Sequence, residues 1–277
     1  MSECTLYIHL NNVRVNSQFM DSEIKILQAI NPQELILVCG LPGAAFVGKI
    51  PVDYMVQQLK AELIGEIYSK HFPPYVIINK DGLVELLRNE LHCVKNDSGR
   101  FIVFLSGNAQ AFSPEGQYEI VETVLDWAMK NKVKRIVSIA ALVTDRPFDV
   151  PNVYCTATSP GLLEEAKVLG VQPLDQGVIG GENGLIMGLA RKKGVEGICL
   201  LTETHGYQTP TGEYVMDHRT APATLKVLTK LLDLKVDMEP MEKKITQMDE
   251  TIARITEYER RMAEEMKRTG KKPSYVT

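Results

Sequence analysis

The sequence predicts an α/β fold: a mainly parallel internal sheet covered by helices on both faces, a three-layer sandwich, followed by a separate C-terminal helix. Three observations predict it. Short β-rich apolar runs alternate with helical patterns along most of the chain. The runs LILVC, FIVFL and GICLL are apolar at successive positions rather than every second one, as strands buried on both faces are. Glycine turns and serine–proline pairs punctuate the junctions.

Taken in order, Leu35–Cys39 reads as a buried strand, followed by a glycine turn at Gly40–Gly43 and a helix from about Ala44 to Lys60. Tyr75–Ile78 is a short strand, and Phe101–Leu105 another, with a polar loop over Asn108–Ser113. Ser113-Pro114-Glu115 is a helix start: a capping hydroxyl, proline in the first turn and an acid near the positive end of the dipole. That helix extends to Lys130, with Val121, Val124, Leu125 and Ala128 on one face. Strands over Arg135–Ala141 and Val153–Thr158 follow, and Ser159-Pro160 opens a helix to about Leu169. A glycine-rich turn, Gly177–Gly184, leads into a helix ending near Lys193; Gly197–Thr202 is a strand and Ala221–Leu234 a helix. No internal repeat or low-complexity linker interrupts this stretch, so residues 1–237 read as one core domain.

Composition narrows the function classes. With 44% hydrophobic and 24% charged residues in 277, the chain can bury a substantial core. A formal net charge of −4 gives no global attraction to nucleic acid or to an anionic membrane. No apolar stretch approaches the roughly 20 residues a membrane span needs, and Met1-Ser2-Glu3-Cys4 lacks the basic start and apolar centre of a signal peptide. A cytoplasmic location is therefore expected. The five cysteines, Cys4, Cys39, Cys93, Cys155 and Cys199, are scattered without a CxxC pair, so neither a zinc site nor a disulfide framework is expected.

Beyond Asp237 the pattern changes. Met241, Ile245, Met248, Ile252, Ile255, Met262 and Met266 follow a four-three spacing among charged residues, broken only where Glu259 takes a seam position. So narrow a stripe predicts that residues 238–269 form a helix pairing with another helix, as in a coiled coil, and hence a homo-oligomer; the other reading is a helix lying on its own core. Residues 270–277 are expected to form a flexible tail.

Few residues point to chemistry. Gly43-Ala44-Ala45-Phe46-Val47-Gly48-Lys49 matches Gly-x4-Gly-Lys after a strand, the pattern of a phosphate loop. The hydroxyl residue that should follow to hold magnesium is absent, because Ile50 and Pro51 stand there, so nucleotide binding is not expected and the glycines read as a tight turn with close packing. Glu182 and Asn183 lie in the second glycine-rich turn, where the carboxylate would repel an anion. His9, His71, His92, His205 and His218 show no close metal-ligand spacing. His205 with Glu203 and Asp217 could make a general acid–base group if the fold brought them together at a strand end. GxSxG, HExxH and a cysteine-nucleophile signature do not occur. No catalytic residue, metal or cofactor is expected.

The string Val38-Cys39-Gly40-Leu41-Pro42-Gly43-Ala44-Ala45-Phe46-Val47-Gly48-Lys49, with Phe72-Pro73-Pro74 and Asp81-Gly82 beyond it, resembles the opening of the proteasome-assembly-chaperone-two family, above all its archaeal members. Ser106-Gly107-Asn108-Ala109-Gln110, Gln117-Tyr118-Glu119, the run from Gly180 to Leu189 and Gly197–Thr204 continue the resemblance in order across most of residues 35 to 235. The resemblance implies a nucleoside-phosphorylase-like core, homo-oligomer assembly and a role in building or docking on the proteasome core particle through its α-subunits. It also implies a C-terminal docking signal with a penultimate tyrosine. Here Tyr275 stands third from the end, before Val276 and Thr277, so the partner-binding residues are expected at Tyr275, Val276 and Thr277 with the pattern shifted by one. The competing expectation is a small-molecule enzyme, nucleotide-dependent at Gly43–Lys49 or phosphorylase-like around Glu182 and Glu203.

Overall fold

The computed structural model describes residues 22–269, apart from Gln33, Pro147, Pro210 and Thr211. The first half of the chain runs β1 (Glu23–Ile26), β2 (Leu35–Cys39), α1 (Lys49–Gln58), β3 (Glu62–Tyr68), β4 (Val76–Ile78), β5 (Val84–Leu86), β6 (Asn89–Lys95), β7 (Phe101–Gly107) and α2 (Pro114–Lys130). The second half runs β8 (Val133–Val143), β9 (Val153–Ala157), α3 (Pro160–Val168), β10 (Gln172–Pro173), α4 (Gly181–Lys192), β11 (Glu196–Thr204), α5 (Ala221–Leu232) and α6 (Glu239–Thr269). Single 3₁₀ turns occupy Ala44–Phe46 and His218–Thr220. No described helix is long and apolar enough to cross a membrane.

Strand β2 sets the layering. It is buried throughout, and alternation sends Leu35, Leu37 and Cys39 into one core and Ile36 and Val38 into the other. The first core packs under α2 and α4 through Leu125, Ala128, Ile186 and Ala190; the second packs under α1, α3 and α5 through Tyr54, Met55, Leu162, Leu225 and Leu228. A strand with both faces covered has no polar face to show, which is why LILVC reads as a continuous apolar run.

The expected sheet is confirmed at its centre and corrected at its flanks. Order across the nine strands is β1-β3-β6-β7-β2-β8-β11-β9-β10. The four central strands β7-β2-β8-β11 are parallel, with Leu37 opposite both Val103 and Ile136. On one side β6, β3 and β1 add antiparallel, and on the other β9 runs antiparallel to β11. The antiparallel strands β3 and β6 interleave Glu62, Glu66, Glu90 and His92 with Ile64, Ile67, Leu91 and Cys93, so no continuous apolar run marks them. The strand expected at Tyr75–Ile78 is β4, which among the described residues pairs with β5 alone and forms a hairpin outside the main sheet.

Local signals hold where they depend on neighbours in sequence. Ser113 Oγ accepts the Gly116 N–H at 3.1 Å, Pro114 opens α2, and Glu115 and Lys130 complement its dipole. Ser159 precedes α3 without making the capping bond. Cys39, Cys93, Cys155 and Cys199 are free and buried; Cys4 lies outside the described residues.

Helix α6, about 46 Å long at 1.5 Å per residue, divides in two. Met241 and Met248 are buried at 0% and 4% exposure, and Ile245 packs on the second core. Tyr54 donates its hydroxyl proton to the Asp237 carbonyl, and Asp249 meets Arg219 at 4.0 Å. From Asp249 onward no described residue of the helix is buried. There Glu257 pairs with Arg260 and Arg261 at 2.9 and 2.7 Å, and Arg260 with Glu264 at 2.6 Å, all one turn apart.

Candidate functional site

Strand order switches sides at β2: β7 lies beside it on one side and β8 on the other, all three parallel. Loops leaving the carboxyl ends of parallel strands diverge at such a point and leave a crevice. A cavity of about 600 Å³ lies there, walled by Pro42, Gly43, Gln110, Ala140, Ile179 and Tyr214 among others. Among the described residues no charged side chain lines it.

Three of the motif stretches meet here and bond to one another. Asn183 Oδ1 accepts the Leu41 N–H at 3.0 Å and its Nδ2 donates to the Leu41 carbonyl at 3.0 Å, so one side-chain amide satisfies both backbone groups as a neighbouring strand would. Gln110 does the same for two loops: its Nε2 donates to the Pro42 carbonyl, and its Oε1 accepts the Glu182 N–H at 2.7 Å. Glu182 Oε1 accepts the Ala111 N–H at 2.7 Å, and Ser138 donates to the Asn183 carbonyl. Ser138 is the one polar residue inside Val133–Val143 that is wholly buried, and the lone serine within the apolar run RIVSIAALV is its sequence signal. Two glycines allow the approach: a Cβ on Gly40 would sit 2.2 Å from the Gly48 oxygen, and one on Gly48 2.4 Å from the Ile139 oxygen.

Glu182 departs from the expectation of an anion-repelling carboxylate in a turn. Helix α4 begins at Gly181, so Glu182 occupies its first turn and is 1% exposed. Its Oε2 has no hydrogen-bond partner among the described residues. Burial pushes its carboxyl up to about 8 against the pull of the Ala111 N–H, so the acid holds its proton at neutral pH and repels nothing.

The phosphate-loop pattern does not form a cradle. Lys49 Nζ pairs with Asp53 Oδ2 at 2.8 Å and reaches Ser106 Oγ at 3.4 Å, while Ser106 itself donates to Asp53. Ile50 and Pro51 are buried in α1. Ala45 and Phe46 take left-handed backbone angles (φ 48° and 56°), a strained turn held where the Ala45 carbonyl accepts the Asp217 N–H at 3.0 Å.

The acid–base candidates have different partners. Glu203 accepts from Asn152 N and Nδ2, both at 2.9 Å, and pairs with Arg146; burial raises its carboxyl, but these partners outweigh burial and hold it below the usual range. Asp217 takes the Thr204 hydroxyl at 2.8 Å and Arg219 at 3.1 Å. His205 contacts the Thr144 carbonyl at 3.2 Å and stacks on Phe148. His218 is lowered by burial and by Lys244. Among the described residues no three His, Cys, Asp or Glu side chains could share a metal ion. Tyr275, Val276, Thr277 and His9 lie outside the described residues, as do the side chains of Met262 and Met266.

A mixed α/β core with its motif loops amide-bonded at the parallel strand ends defines the fold class, and comparison with known proteins gives the family. The chain belongs to the PAC2 family, whose model matches residues 37–256. It is similar to the crystal structure of Pyrococcus furiosus PbaB, an archaeal proteasome activator, with 27% identity over 85% of this chain and 99% of that one and a TM-score of 0.77. Pyrococcus furiosus PbaA, an archaeal homolog of proteasome-assembly chaperone, shares 26% identity over 90% and 97%, with a TM-score of 0.70. An uncharacterised protein of Methanocaldococcus jannaschii is 30% identical over 235 residues, 84% of this chain and 88% of its own length.

Proposed function

We propose that this chain is a homo-oligomeric, cytoplasmic proteasome assembly chaperone or core-binding adaptor, docking on the core particle or its α-subunits through residues 275–277 and its oligomer surface. The observation that carries this is the likeness to an archaeal proteasome activator over nearly that protein's whole length. The site geometry fits it: the shared motifs spend their polar atoms on one another, as a scaffold requires, and Lys49 is paired with Asp53. The small-molecule reading rests on the strand-end cavity, whose lining among the described residues lacks the charged groups that phosphate or nucleotide recognition uses. No catalytic residue is assigned.

Helix α6 supports tail docking by its reach. Its second half carries its own ion pairs, so it can hold the tail away from the body. Several tails on one oligomer would add avidity to a weak single contact. The test is surface plasmon resonance on immobilised core particles. The native chain is expected to bind, deletion of residues 275–277 to abolish binding without changing mass, and Val276→Tyr to strengthen it. Binding that survives the deletion moves the contact to the α/β body; a native chain that never binds refutes the proposal.

A further inference from the structure

The hairpin β4–β5 presents the most concentrated apolar surface among the described residues. Val76 faces Leu86 and Ile78 faces Val84 across the two strands, so all four side chains share one face. With Tyr75 and Leu83 at its margins, these residues are 48–70% exposed. The opposite face is satisfied: Ile77 packs on Phe72 and Leu87, and Glu85 is held by Asn79 at 2.9 Å and Arg88 at 2.8 Å. The hairpin is also rigid. Asn79 Oδ1 accepts the Asp81 and Leu83 N–H groups at 3.0 and 2.9 Å, and Gly82 takes the left-handed angle (φ 78°) that the turn needs.

A two-stranded hairpin with water on one apolar face is marginal on its own, and a contiguous patch of this kind marks an interface. Its six large residues, at about 200 Å² each when free and roughly three-fifths exposed here, offer on the order of 700 Å². A standard interface takes about 800 Å² from each partner. The shape of the face says what covers it. Its base opens into an apolar groove of about 570 Å³ lined by Tyr68, Phe72, Pro73, Tyr75, Val76 and Leu86, whereas its tip carries Ile78, Leu83 and Val84. Knob and groove belong to one hairpin, and Lys70 is the one charged residue among the described residues that line the groove.

We infer that this face binds the same face of a second copy across a two-fold axis, the tip of each hairpin seated in the groove of the other. Such an isologous contact uses one surface twice and closes without leaving it free. The inference rests on the homo-oligomeric part of the proposed function and places the contact on the α/β body, independently of the α6 seam.

The experiment uses the full chain. Light scattering of the native protein is expected to give a multiple of the chain mass, and Ile78→Asp with Val84→Asp to halve it while circular dichroism stays unchanged, since both side chains face solvent. In a Cys4→Ser background, mixing an Ile78→Cys chain with a Leu86→Cys chain is expected to give a disulfide-linked pair on mild oxidation. A native mass of one chain overturns this inference together with the oligomeric reading. A native oligomer unmoved by the hairpin substitutions, or lost only with Ile252→Asp and Ile255→Asp, overturns the hairpin contact alone. Hairpin substitutions that remove core-particle binding at unchanged mass would make the face a proteasome contact and overturn the second-copy assignment.

Discussion

Replacing Glu182 by glutamine tests whether the motif loops are held by a buried neutral acid. In the folded chain the carboxyl titrates near 8, against 4.5 for an ordinary glutamate, because it is enclosed and Oε2 has no partner. Between those values the unfolded chain has lost a proton that the folded chain keeps. Stability is therefore full below about pH 4.5 and declines as pH rises towards 8, by about 1.4 kcal/mol per unit. The gap from 4.5 to about 8 sets an upper bound of roughly 5 kcal/mol on the total loss. Glutamine copies the protonated acid: its Oε1 can accept the Ala111 N–H, and its amide stands where the protonated Oε2 was. Urea unfolding of both proteins across this pH range isolates the effect, because every other group titrates alike in the two. Near pH 5 they should differ by less than about 1 kcal/mol, and Glu182→Gln should gain on the native chain up to pH 8 and then level off. Cys39, whose thiol burial drives far up, is the titratable neighbour that feels Glu182, and it stays neutral across this range. A difference independent of pH would refute the buried-acid assignment.

Further outcomes follow from the packing. Gly48→Ala should cost at least about 2 kcal/mol in denaturant midpoint analysis, since its Cβ would press on the Ile139 carbonyl, a backbone atom that cannot swing aside. Ile245→Asp should lower stability by about 1.5–3 kcal/mol because Ile245 packs on the core, whereas Ile252→Asp with Ile255→Asp should leave the single-chain fold intact; equal losses would refute the division of α6. Calorimetry with magnesium ATP should show no binding, and a micromolar constant weakened by Lys49→Ala would show that the Asp53 pair opens to a nucleotide.

The sequence by itself determined the central strands, the capped helix from Pro114 to Lys130, the C-terminal helix and the family. Each element rests on a run or a cap contained within a few dozen residues, and the family on short motifs met in order along the chain. The tertiary structure decided the rest. Strands β3 and β6 join the sheet where alternate residues stay polar, so their place is defined by pairing with each other and with β7 rather than by composition. The α6 seam has two fates along one spacing: its first turns rest on the chain's own core and the later turns do not. Lys49 looked available for phosphate because Gly-x4-Gly-Lys does not reveal that Asp53 stands one turn along and Ser106 beyond it. Asn183 bonds to Leu41 from 142 residues away and Glu182 to Ala111 from 71. Burial by segments distant in sequence keeps Glu182 protonated against the pull of the Ala111 N–H, and periodicity reports only the environment repeated along the segment itself.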